Sequence, residues 1–157
     1  MKSLLLSAVA VATLFLTGCN YEIPLTAEPT RKVDARLPGD WLGGEDGKDP
    51  MTIRQLDDST YAVAFDHDIY RVRHTDFAGV ALVSAENLPP GRDGGKYAYL
   101  SWSLSADGNQ LTLRTVSAKV VPEDTKARPA LQKLIEANLA DPALFGEPVV
   151  FTRKKSW

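Results

Sequence analysis

The sequence predicts a mainly β protein, an antiparallel meander curled into a small barrel with one α-helix before the last strand. Two observations carry this. Short runs with period-two alternation, separated by turn-forming residues, recur from about residue 39 to residue 121. A single stretch, 128–139, then switches to helical spacing and is followed by one more β-like run.

The chain opens with an export signal: Lys2 gives a positive start, Leu4 to Leu16 an apolar stretch, and Thr17-Gly18 small residues ahead of Cys19, the only cysteine. The apolar stretch is shorter than the roughly 20 residues a helix needs to cross a bilayer core, so cleavage is expected rather than a permanent span. Leu16-Thr17-Gly18-Cys19 resembles the lipobox of bacterial lipoproteins. The resemblance implies diacylglycerol on the Cys19 sulfur, removal of residues 1–18 and acylation of the new amine. The membrane is then a partner through acyl chains, each buried methylene contributing about 0.8 kcal/mol. In such lipoproteins an aspartate after the cysteine retains the protein in the inner membrane of Gram-negative bacteria. Asn20 stands there, which implies the periplasmic face of the outer membrane in a host of that type.

Residues 19–38 read as the lipidated cysteine and a flexible tether, because 20–38 mixes three prolines with charge and shows no sustained period. Such a tether reaches at most about 63 Å and averages nearer 24 Å. A single β-rich domain, 39–157, follows.

Within it, 51–56 and 61–66 flank Asp57-Asp58-Ser59 as a first hairpin, and 68–77 and 80–88 pair around Ala78-Gly79. Residues 89–96 form a Gly/Pro-rich loop. The next hairpin joins 96–105 to 110–121 through Asp107-Gly108-Asn109, residues tolerant of positive φ. Its first strand puts Ala98, Leu100, Trp102 and Leu104 on a core face and Tyr97, Tyr99, Ser101 and Ser103 on the other. In the helix, Leu131, Leu134, Ile135 and Leu139 form the apolar stripe and Pro129 falls in the first turn. Residues 141–146 make a short second helical turn, and 148–154 the last strand. An integral outer-membrane barrel is not expected, since those need strands of about 9 to 11 residues with an apolar outward band.

Composition narrows the function. Without residues 1–18, 139 residues remain, enough for one domain with a real core. They hold 17 basic and 20 acidic residues, a net charge of −3, which argues against nucleic-acid binding. With Cys19 acylated, no thiol is left for a disulfide.

No catalytic constellation, cofactor motif or metal site stands out. Asp66, His67, Asp68, His74 and Asp76 gather imidazole with carboxylate, but alternation along a strand sends Asp66 and Asp68 one way and His67 the other, so solvated turn charges are expected. Neither a G-x-S-x-G elbow nor an EF-hand or phosphate loop is present, and 43–49 reads as a turn.

Gly39-Asp40-Trp41 resembles the G-x-W signature on the first strand of lipocalins, small barrels that hold apolar ligands. There a late basic residue packs across the tryptophan, a part the resemblance gives to Arg153. Thr75-Asp76-Phe77 is similar to that family's second motif but follows Trp41 too soon for its order. The ligand-pocket candidates are Trp41, Trp102 and Arg153, with Ala62 and Ala64 leaving room inside. The function expected is a non-enzymatic, lipid-anchored envelope protein, a module that binds an envelope protein or lipid partner or that supports the envelope structurally. The alternative is a lipocalin-like carrier of a small apolar ligand.

Overall fold

The computed structural model describes residues 21–44, 46–88 and 95–155. Cys19 and the signal segment lie outside the described residues.

Eight strands follow one another round a closed antiparallel barrel: β1 Gly39–Gly43, β2 Asp49–Gln55, β3 Thr60–Phe65, β4 Asp68–His74, β5 Leu82–Asn87, β6 Tyr97–Leu104, β7 Gln110–Thr115 and β8 Val149–Arg153. Each pairs with the next, and β8 returns to β1 through Trp41↔Arg153 and Leu42↔Thr152. Closure leaves no unpaired edge to recruit another chain. One helix, α1 Arg128–Ala137, and a 3-10 turn, Pro142–Leu144, lie between β7 and β8. The predicted meander, its hairpins and the helix before the last strand are all present.

Alternation sorts side chains to two cores. Inward go Trp41, Met51, Ile53, Tyr61, Val63, Val72, Val83, Ala85, Ala98, Trp102, Leu111, Leu113 and Phe151, which pack together inside the barrel. The second core lies outside the wall. Leu82 of β5 and Tyr99 of β6 point outward there and meet Leu131 and Ile135 of α1, whose i, i+4 spacing puts both on one face. Strand β7 stops at Thr115, short of the run to 121 read from the sequence. Val116 instead bridges to Phe145, and Val116 and Val121 turn into the outer core.

Residues 21–38, expected to be a flexible tether, are fixed against the barrel as a strap. Tyr21 and Leu25 are fully buried between the β5–β6 wall and α1. Tyr21 and Tyr97 exchange backbone hydrogen bonds (3.2 and 2.8 Å), and the Tyr21 hydroxyl donates to Val121 O at 2.7 Å. The Tyr99 hydroxyl donates to Ile23 O, Arg128 Nε to Pro24 O at 3.2 Å and Gln132 Nε2 to Leu25 O at 2.9 Å. The strap then passes the ends of β4 and β2, with Thr30 N bonded to His74 O and Val33 N to Asp58 O, before Leu37 leads into β1. Prolines and charges disguise it, but its few large apolar residues each bury against a surface.

Candidate functional site

The barrel has a packed end and an open end. At the packed end, which receives Gly39, the β2–β3 turn and Arg153, the strap crosses below the strands and Leu37 is buried against the core. Trp41 donates Nε1–H to Leu37 O at 3.1 Å, and the Arg153 guanidinium lies 4.2 Å from the Trp41 ring centroid. Arg153 also donates to Gly108 O (3.0 Å), Pro38 O (3.1 Å) and Arg36 O. One planar cation thus staples the strap, the β6–β7 turn and the first strand. Gly39 is needed beside it: its φ is +154°, and a Cβ there would lie 2.4 Å from Arg153 Nη1.

An aromatic layer is built at this end of the barrel from His74, Trp102 and Tyr61. The His74 ring meets Trp102 edge-on at 4.8 Å and Tyr61 at 5.8 Å, and Tyr61 meets Trp102 at 5.4 Å. The Tyr61 hydroxyl accepts from Asp34 N of the strap. His74 is 5% exposed, and neither of its ring nitrogens has a hydrogen-bond partner among the described residues. Burial holds its pKa below the ordinary value, while Asp76 and Asp34 pull it up and Arg31 pushes it down.

Over this floor lies a partly open cavity of about 90 Å³. Val63, Val72, Leu113 and Phe151 are among its walls, Trp102 forms part of its base, and Phe65 and Tyr70 stand toward the mouth, at the end carrying the β1–β2, β3–β4 and β5–β6 connections. The lining is apolar apart from the Tyr70 and Thr115 hydroxyls and the Trp102 indole nitrogen. The space arises where β5 and β6 put two small residues side by side: Ala85 is the register partner of Ala98, and both line the cavity.

Of the sequence-stated pocket residues, Trp102 lines the cavity, whereas Trp41 and Arg153 do not. Those two close the floor from below, because the strap lies against them. Ala62 and Ala64 leave no room inside; they point outward, while Tyr61, Val63 and Phe65 face the core. Reading alternation on β3 gave two faces without saying which was inner. Ala85 and Ala98 were not distinguishable from ordinary packed alanines until the β5–β6 register joined them.

The imidazole and carboxylate cluster does not converge. His67, in the exposed two-residue turn before β4, lies at the mouth end 3.5 Å from Asp66, while His74 is buried at the floor end of β4. Asp76 instead pairs with Arg31 of the strap. Among the described residues no three His, Cys, Asp or Glu side chains are grouped so as to hold a metal ion.

No family model matches the chain, and neither a curated protein nor a solved structure matches it.

Proposed function

We propose that the chain is a lipid-anchored protein of the bacterial cell envelope, acylated at Cys19, whose barrel is a non-enzymatic binding module that takes a small apolar group into its cavity. The observation that carries the binding reading is the apolar, partly open space above a packed floor. Water gains little from such a lining, so an apolar group that enters exchanges hydration for contact. The G-x-W geometry supports a lipocalin-like reading of the barrel, since Gly39, Trp41 and Arg153 form one stapled unit. Size limits the occupant. Sites that engulf a whole drug-sized ligand run to about 300–1,000 Å³, and a cavity of 90 Å³ suits a chain tip or a compact group rather than an entire lipid.

The test is mass spectrometry of organic extract from residues 20–157 purified without detergent, beside an Ala85→Leu variant that fills the cavity. One enriched apolar compound in wild type and its loss in the variant is the expected outcome. Equal recovery from both, or none from either, rejects the cavity as the site. The anchor is tested separately by metabolic fatty-acid labelling: label on wild type and none on Cys19→Ser is expected, and equal or absent label on the two rejects acylation at Cys19.

A further inference from the structure

We propose that the acyl anchor is a rigid mount that holds the mouth end of the barrel against the bilayer, so that the cavity opens toward membrane acyl chains. This rests on the acylation of Cys19 and the apolar cavity proposed above, and adds the partner surface and the source of the ligand.

Three observations converge. First, the strap begins at the mouth end: Tyr21 pairs with Tyr97, the first residue of β6, and Ala98 beside it lines the cavity. Tyr21 is immobilised by its backbone pairing, by ring contact with Tyr99 at 4.3 Å and by its bond to Val121 O. Only Asn20 separates it from Cys19, a chain reach of at most about 7 Å. An acyl chain on Cys19 therefore has little slack, and the bilayer surface must lie close to the start of β6 rather than a free tether's length away.

Second, charge favours that contact. Glu86, Arg73, Arg71 and Arg128 all lie close enough to Tyr97 for their charge to act on its phenol. Three guanidiniums stand against the one carboxylate of Glu86, which Arg71 pairs at 3.4 Å, so the anchor leaves the barrel beside an edge where cations outnumber carboxylates. The carboxylates of Asp46 and Asp66 sit in the β1–β2 and β3–β4 turns, and that of Asp68 at the start of β4. Anionic headgroups thus meet the anchor side first.

Third, the cavity is too small to enclose a free lipid but suits the tip of a chain whose remainder stays in a membrane. A mouth that faces the bilayer supplies such a ligand without its passage through water.

The experiment uses the processed full chain in vesicles of phosphatidylethanolamine and phosphatidylglycerol. A fluorophore is placed at Ile69→Cys, on the mouth half of β4, or at Leu56→Cys, in the floor-end turn; both side chains are exposed. With lipid carrying a nitroxide at the headgroup, severalfold stronger quenching at 69 than at 56 is expected. A twelve-residue Gly/Ser insertion between Asn20 and Tyr21, spanning about 20 Å on average, should erase the difference. Equal quenching at both positions without the insertion, or stronger quenching at 56, overturns the mount. The lipid source is read with a nitroxide near the acyl chain end. It should quench intrinsic tryptophan in wild type and less in Ala85→Leu, and equal quenching in the two overturns the lipid as ligand. Absence of fatty-acid label on Cys19 is a separate readout, which removes the anchor and the mount with it.

Discussion

Arg153 and His74 show how single side chains organise the packed end. Arg153 has both a ring beneath its guanidinium and three carbonyls around it. Stacking contributes about 0.5–2 kcal/mol and a hydrogen bond from a charged group about 1.5–3 kcal/mol, although these overlap. Arg153→Ala is expected to lower unfolding free energy by about 2–3 kcal/mol. Arg153→Lys should recover little, because one ammonium cannot reach three carbonyls at once. Urea unfolding measures both, and a wild-type midpoint for either variant would contradict the staple. His74 acts through pH. Its folded pKa is lowered, chiefly by burial, so between that value and about 6.5 the unfolded chain binds a proton that the folded chain refuses. Stability is therefore full above about pH 6.5 and declines as pH falls through the window beneath it, by at most about 1.4 kcal/mol per pH unit. In His74→Phe this slope should vanish, leaving only the carboxylates at lower pH. Denaturant midpoints across that range decide the matter: parallel curves for the two proteins would refute it. The groups facing the ring from the strap and from beyond β4 are Asp34, Arg31 and Asp76, and Asp34 titrates lower because the Arg36 side chain bonds it.

At the level of elements, the strap is the feature with the largest consequence. Leu25 is fully buried between the wall of the barrel and α1. Leu25→Ala should cost about 2–5 kcal/mol, whereas the same change in a free tether would fall within about 0.5 kcal/mol. Chemical denaturation separates these, and a near-neutral result would return 21–38 to the role of tether. The strands and α1 were legible because each presents one apolar face to one surface, which imposes a period of two or of about 3.6 on the sequence. The strap has no such period: Tyr21 and Leu25 pack under α1, while Val33 and Leu37 pack below the barrel. Its apolar residues are spaced by a path over two surfaces. The pairing of Trp41 with Arg153 was legible through a short motif, because the motif encodes a close approach that only glycine permits at position 39. The cavity was not legible, since it depends on β5 and β6 aligning Ala85 with Ala98, a matter of register between strands rather than of pattern within one.

For the whole molecule, the question is whether the barrel is a filled core with an incidental void or a core that holds space for a ligand, and the energetics of filling it distinguish the two. A void of 90 Å³ withholds about 2 kcal/mol of stability at about 24 cal/mol per Å³. In a fully packed barrel, enlarging an inward alanine forces neighbours off their rotamers and costs about 1–3 kcal/mol. Ala85 faces the empty space, so Ala85→Leu places three more carbons where no atom stands and gains about 0.8 kcal/mol for each one buried without strain. The expected result is a denaturation midpoint equal to wild type or above it, by up to about 2 kcal/mol. A loss of 1 kcal/mol or more would show that the interior has no room to take the side chain. If stability holds while the bound apolar compound disappears, the barrel keeps a void at the expense of its own packing, as a binding site must and a scaffold need not.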